Sequence, residues 1–165
     1  VQTCALPIYE GHKILVFSQF TSVLSNISKV FKENEVSHYY LDGSTPIKTR
    51  NKIVEDFNKD DTSVFLISLK AGGTGLNLTS ADIVIHFDPW WNPAIENQAT
   101  DRAHRFGQKN VVEVIKLISK DTIEEKILLL QEDKKELIES LMDEKEMDGK
   151  KFKRLSEDEI LNLLG

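Results

Sequence analysis

Five short apolar runs rich in β-branched residues constrain this chain more than any other feature. They are 13–18 (KILVFS), 37–42 (SHYYLD), 63–68 (SVFLIS), 83–87 (IVIHF) and 111–118 (VVEVIKLI). Each has strand length and strand composition, and such runs read as strands covered on both faces, as in parallel sheets. Helical patterns lie between them. Residues 21–33 place Val23, Leu24, Ile27, Val30 and Phe31 on one face. Thr45-Pro46 is a helix entry, with Thr as N-cap and Pro in the first turn, and Ile47, Ile53, Val54 and Phe57 then form an apolar stripe. Residues 93–105 follow the fourth run as a further helix. Strand alternating with helix predicts an α/β fold, a three-layer domain on a parallel sheet with right-handed crossovers.

After Lys120 the pattern changes to a helical extension over 121–165. Thr122-x-x-Glu125 is a capping box opening a long helix, with the stripe Ile123, Ile127, Leu130, Leu137 and Leu141. Residues 143–154 read as a charged linker, and Ser156-x-x-Glu159 opens a short second helix. The first eight residues, VQTCALPI, match one reading frame of a common short-read sequencing adapter. They are expected to be an artefact preceding a domain over 9–120, with the gene continuing upstream. The single cysteine, Cys4, allows no disulfide framework within one chain and fits a reducing, cytoplasmic setting.

Net charge is -6, which on its face argues against a basic nucleic-acid binder. The charge is uneven, however. Residues 9–110 carry 12 acidic and 11 basic side chains, whereas residues 111–165 carry 15 and 10. The acidity belongs to the extension and does not veto an anion-binding surface on the α/β part. No apolar run approaches the ~20 residues of a membrane-spanning helix, so no membrane role is expected.

Five segments hold candidate chemistry. The segment 68–78, SLKAGGTGLNL, follows a strand, and its glycines and lysine suit either a backbone cradle for phosphate or a plain turn. The segment 98–108, QATDRAHRFGQ, spaces Arg102 and Arg105 so that on a helix they share a face. Two such guanidiniums can clamp a phosphoryl group, or can be surface arginines paired with Asp101 or Glu96. Asp88-Pro89-Trp90-Trp91-Asn92-Pro93 is an aromatic loop whose indoles either pack inside or stack on a base or sugar. Asp42-Gly43-Ser44-Thr45 and Ser18-Gln19 follow strands, where they either donate to phosphates or serve as caps and turns. The four histidines show no tight metal spacing, no metal site is expected, and a His86–Asp88 catalytic pair is disfavoured. Lys150, Lys151, Lys153 and Arg154 read as part of a solvated linker.

In this order, the segments KILVFSQF (13–20), LDGST (41–45) with Arg50 and Phe57-Asn58, SLKAGGTGLNL (68–78), HFDPWWNP (86–93) and QATDRAHRFGQ (98–108) resemble the second RecA-like lobe of Swi/Snf-type DNA translocases. These are superfamily-two helicase-like ATPases, and the wording is closest to the bacterial branch. The resemblance continues through TIEEKI (122–127) and covers nearly all of residues 12–142.

The resemblance implies two RecA-like lobes with ATP and magnesium between them, bound mainly by a first lobe. The motifs of that lobe, Gly-Lys-Ser/Thr and Asp-Glu-x-His, do not occur in these 165 residues, so the chain alone is expected to be inactive. By the resemblance, Arg102 and Arg105 are arginine fingers and Gln98 couples nucleotide to lobe closure. Gly75 and Asn77 lie near the cleft. Ser18, Gln19, Ser44, Thr45, Ser68, Lys70 and Trp91 face double-stranded DNA. The implied partners are the DNA backbone, the first lobe of the same protein and a DNA-bound protein substrate, in a nucleoid-associated setting. A non-catalytic DNA- or protein-binding module is the competing reading. An RNA helicase lobe fits less well, because Asp101-Arg102-Ala103-His104-Arg105 stands where that class carries a glycine-arginine-rich motif.

Overall fold

The computed structural model describes residues 11–72, 75–104 and 111–133. The chain divides into two compact units, Val1–Gln131 and Glu132–Gly165, and nearly all described residues belong to the first. The expectations for residues 1–8, for Leu137 and Leu141, and for the linker, basic cluster and short helix beyond 142 lie outside the described residues.

All five expected strands are present: β1 (Ile14–Ser18), β2 (His38–Leu41), β3 (Val64–Ser68), β4 (Ile83–His86) and β5 (Glu113–Lys116). They form one parallel sheet in the order β2-β3-β1-β4-β5. The helices are α1 (Thr21–Glu33), α2 (Ile47–Lys59), the single turn α3 (Leu69–Gly72) and α4 (Pro93–Thr100). A further helix, α5, runs over residues 123–133.

Strand alternation sorts the core into two layers. Ile14, Val16, Val64, Leu66, Ile83 and Ile85 point to one face and pack with Leu24, Ile27 and Phe31 of α1. Leu15, Phe17, Phe65, Ile67 and Val84 point to the other and pack with Val54 and Phe57 of α2 and Ala99 of α4. The one crossover that runs leftward, β1 to β2, uses α1. The rightward ones carry α2, α3 and α4 over the opposite face, as a single handedness requires. The α/β expectation of three layers on a parallel sheet therefore holds.

Several local expectations need correction. Burial on both faces is true of β1, β3 and β4, but β5 is largely exposed and β2 only partly covered. Both lie at the edges of the sheet among the described residues, where half of the packing partners are missing. In α1, Val30 is exposed and Ser28 is buried instead, its hydroxyl 2.7 Å from His38 Nε2. The N-cap of helix α2 lies one residue later than expected. Pro46 is the N-cap without a side-chain cap bond, Ile47 is exposed, and Thr45 belongs to the preceding turn. Helix α4 stops at Thr100, so Arg102 stands in the turn that follows rather than on a helix face. Its start is well specified: Pro93 fills the first position and the Asn92 side chain accepts from the Ala94 N–H. The capping box at α5 is rearranged. Thr122 Oγ1 accepts from the Glu124 N–H, while Glu125 reaches back to the Asp121 N–H at 3.1 Å.

Candidate functional site

In a parallel sheet all strands release their following loops at one edge. Here that edge gathers Ser18-Gln19 after β1, Asp42–Thr45 after β2, Lys70 after β3 and Asp88–Asn92 after β4. Four segments scattered over more than seventy residues of sequence become neighbours. Ligands of open α/β sheets bind outside the carboxyl ends of the strands, at the point where connections diverge. Connections diverge here between β1 and β4, since β1 leads leftward and β4 rightward.

Asp88 sits at that point. Its Oδ1 accepts the Gln19 N–H at 2.9 Å and its Oδ2 accepts the Ser18 hydroxyl. Burial raises the Asp88 pKa, the nearby Glu124 adds to this, and the Ser18 and Gln19 hydrogen bonds oppose it. An open cleft of about 620 Å³ begins beside it, lined by Phe20, Phe87, Lys116, Ser119 and Glu124 among others. Asp88 and His86 do not form a pair: His86 Nε2 lies 3.0 Å from Thr100 Oγ1 and its ring stacks on Phe17 at 5.7 Å.

The expected phosphate contacts divide by exposure. Ser18 and Ser68 are buried. The Ser18 hydroxyl is engaged by Asp88 and Phe20, and Ser68 Oγ accepts from the Ala71 N–H at 3.3 Å, capping α3. Both hydroxyls are therefore engaged inside the loops, in the cap and turn roles that the sequence left open beside phosphate contact. Gln19 and Thr45 are half-buried, and Ser44 and Lys70 are exposed. Trp91 is 51% exposed beside the half-buried Trp90, with ring centroids 6.2 Å apart.

The Asp42 turn is tightly built. Asp42 Oδ1 accepts the Ser44 N–H at 2.9 Å and its hydroxyl at 2.6 Å, and Ser44 foremost holds the Asp42 pKa below its usual value. Arg50 reaches back from α2 to the carbonyls of Thr45 at 2.7 Å and Gly43 at 3.0 Å. Asn58 does the same for the glycine-rich segment, donating to the Asn77 carbonyl at 2.8 Å and accepting from the Ser80 N–H at 3.3 Å. Arg50 and Asn58 are thus positioning residues.

The glycine-rich segment also meets the arginine segment. The Leu78 N–H donates to the Arg102 carbonyl at 3.0 Å. Gly75, with φ of +75°, occupies the left-handed region that glycine tolerates, and Gly75 and Asn77 are exposed. Gln98 is exposed on α4. Arg102 is only 6% exposed, so it is not a surface arginine, and the expected partner Glu96 is instead held by Lys116 at 2.6 Å. Arg105 lies outside the described residues.

Glu96, Lys116 and Gln131 were not legible as site residues. A glutamate on a helix, a lysine on an edge strand and a glutamine in a charged helix carry no motif. Asp42 did have a signal, the Asp-Gly-Ser-Thr turn chemistry. Among the described residues no three His, Cys, Asp or Glu side chains form a group that could hold a metal ion, and no helix is long and apolar enough to cross a membrane.

The family described as helicase conserved C-terminal domain matches residues 2–107. An uncharacterised ATP-dependent helicase of Mycoplasma genitalium is 45% identical over 161 residues, covering 94% of this chain and 15% of the relative. The DNA repair protein RAD5 of Candida glabrata is 43% identical over 158 residues, covering 92% and 14%. The human chromatin-remodelling ATPase INO80 is 45% identical over 129 residues, covering 78% and 8%. The chain thus spans about one seventh or less of these relatives. A crystal structure of the C-terminal part of the Fun30 ATPase domain superposes with a TM-score of 0.73 at 42% identity, covering 76% of this chain and 41% of that one.

Proposed function

The chain belongs to the helicase conserved C-terminal domain family, in its Swi/Snf type, and from that premise we propose that it is the second RecA-like lobe of an ATP-driven motor on double-stranded DNA. One observation carries this reading. The exposed or half-exposed candidates Ser44 and Thr45, Lys70, Gln19 and Trp91 follow β2, β3, β1 and β4, the order in which those strands lie in the sheet. With neighbouring strands ~4.8 Å apart, they form a row about 14 Å long at one edge. A row of amides, hydroxyls, one ammonium and an indole suits a phosphate backbone flanked by sugars and bases. Such contacts carry no sequence information, so tracking is expected to be sequence-independent.

The nucleotide side rests on the second cluster. ATP, as substrate, with magnesium, is assigned mainly to a first lobe, since neither of that lobe's motifs occurs in the 165 residues. The chain alone is therefore expected to hydrolyse no ATP. Arg105 is assigned the role of reaching the γ-phosphate when the lobes close. Arg102, itself buried and accepting the Leu78 N–H with its carbonyl, anchors the arginine segment to the glycine-rich one. Gln98, Gly75 and Asn77 are exposed and are assigned to coupling nucleotide with closure. Closing on ATP and opening after hydrolysis then moves two backbone grips relative to one another. A DNA-bound protein is the proposed target of that motion, and the bacterial cytoplasm and nucleoid its proposed setting.

An arginine finger is worth roughly 10³–10⁵ in rate. Arg105→Ala in the full-length protein should therefore abolish DNA-stimulated ATP hydrolysis while leaving duplex binding nearly intact. Retained turnover would refute the assignment. The non-catalytic binding module is the reading that would then remain.

A further inference from the structure

Both backbone polar groups of Trp90 are held by side chains from other elements. The N–H donates to Glu96 Oε1 of α4 at 2.6 Å, and the carbonyl accepts from Gln131 Nε2 of α5. Lys116 of β5 closes the ring, its ammonium 2.6 Å from Glu96 Oε2 and 3.0 Å from Gln131 Oε1. Glu96 and Gln131 are 1% and 5% exposed, so two of the three side chains are interior, and Lys116 closes the ring from the solvent side.

An amide satisfies the Gln131 position where a carboxylate or an ammonium does not. A lysine ammonium only donates and a peptide carbonyl only accepts, so the residue between them must accept on one atom and donate from the other. Glutamate there would set a carboxylate oxygen against the Trp90 carbonyl. Lysine would set an ammonium against Lys116. The chemistry also fixes which way the amide faces.

From this geometry we infer that Gln131 is a positioning residue for the tryptophan loop, through which the docking of α5 sets the pose of Trp90 and Trp91. The functional consequence rests on the reading above, in which Trp91 faces DNA. Trp90 packs against the core beside α4, and Trp91 follows it outward. Releasing the Trp90 carbonyl frees the loop from α5 while leaving Lys116 on Glu96.

Trp90 and Trp91 are the two tryptophans of the whole 165-residue chain, so its tryptophan fluorescence reports on this loop. The test uses the full chain and acrylamide quenching. Gln131→Glu keeps the side-chain length and the attraction to Lys116 but loses the donor, and Gln131→Met keeps the length without either. Both variants should raise the quenching constant about twofold, out of proportion to any change in melting temperature, because a lost buried hydrogen bond loosens the loop locally. Quenching unchanged in Gln131→Glu would overturn the inference, as would a loosening seen only in proportion to lost stability. Duplex affinity of Trp91→Ala forms a separate arm. If the Gln131 variants loosen the loop and Trp91→Ala binds duplex like the parent, the positioning role stands and the assignment of Trp91 to DNA falls.

Discussion

The Asp88 carboxylate ties β4 to β1, accepting the Gln19 N–H at 2.9 Å with one oxygen and the Ser18 hydroxyl with the other. The three residues close the sheet at the point where its connections diverge, and they hold one of the proposed backbone grips in place. Hydrogen bonds to a charged acceptor are worth about 1.5–3 kcal/mol each, and burial of the carboxylate offsets part of that. Asp88→Ala is expected to lower stability by about 2 kcal/mol. Asp88→Asn, which retains one acceptor, should cost less. Urea denaturation checks both, and an unchanged midpoint in Asp88→Ala would remove the tie from the account.

Gly72 ends α3 against Phe17. A β-carbon there would lie 2.8 Å from Phe17 Cε1, inside contact distance, with a ring that is itself fully buried. Gly72→Ala is expected to destabilise by about 1–3 kcal/mol through overpacking. Phe17→Leu in the same chain should return part of that loss, so the two changes together should cost less than their sum. Thermal unfolding of both single variants and the double variant measures this.

His86 is a buried histidine on β4, and burial holds its pKa below the usual 6.5; Glu96 opposes that shift and Lys116 reinforces it. The unfolded chain therefore takes up a proton near 6.5 that the folded chain refuses. His86 contributes stability that is fully present above pH 6.5 and is lost as the pH falls through 6.5 towards the folded value. Asp88, whose pKa is raised, runs the other way, so the comparison must be between variants. His86→Phe keeps the ring against Phe17 and cannot titrate. Its stability relative to the parent should improve steadily from pH 7 to pH 5. A constant difference across that range would show that His86 does not titrate on unfolding.

Lys70 is exposed at the carboxyl end of β3 and is assigned to a single phosphate. Binding of the chain to duplex DNA should fall steeply with salt, since each neutralised phosphate contributes roughly -0.9 to the slope of log K against log salt. Lys70→Ala should weaken binding equally for all sequences and reduce that slope by about 1. Titrations at several salt concentrations decide it, and an unchanged slope would remove Lys70 from the row.

Much of the fold could be read in advance because its signals are local. Each strand announced itself in five to eight consecutive residues, and the Asn92-Pro93 start of α4 carried its own capping chemistry. The failures were also physical. Val30 and Ile47 fit helical stripes yet are exposed, because a stripe shows which face is apolar but not how far the neighbouring layer extends. The edge strand β5 lies within the mostly apolar run 111–118 but is itself Glu-Val-Ile-Lys, and it lacks a neighbour on one side among the described residues. Of the candidate site, the loops were legible, but the division into exposed and internal members was not. Ser18 and Ser44 look alike in sequence; one is buried on Asp88 and the other is exposed in the Asp42 turn.

The sequence by itself determined the alternation of strand and helix, hence the parallel sheet, and with it the edge on which the loops emerge. Those properties depend on backbone preferences and hydrophobic period, which act over a few residues. Tertiary structure alone decided which side chains meet: Asp88 with Ser18, Leu78 with Arg102, Gln131 with Trp90. These partners lie far apart in sequence and become adjacent only through strand order and the docking of α5. A hydrogen bond is decided within a few tenths of an ångström, and no local pattern specifies distance on that scale.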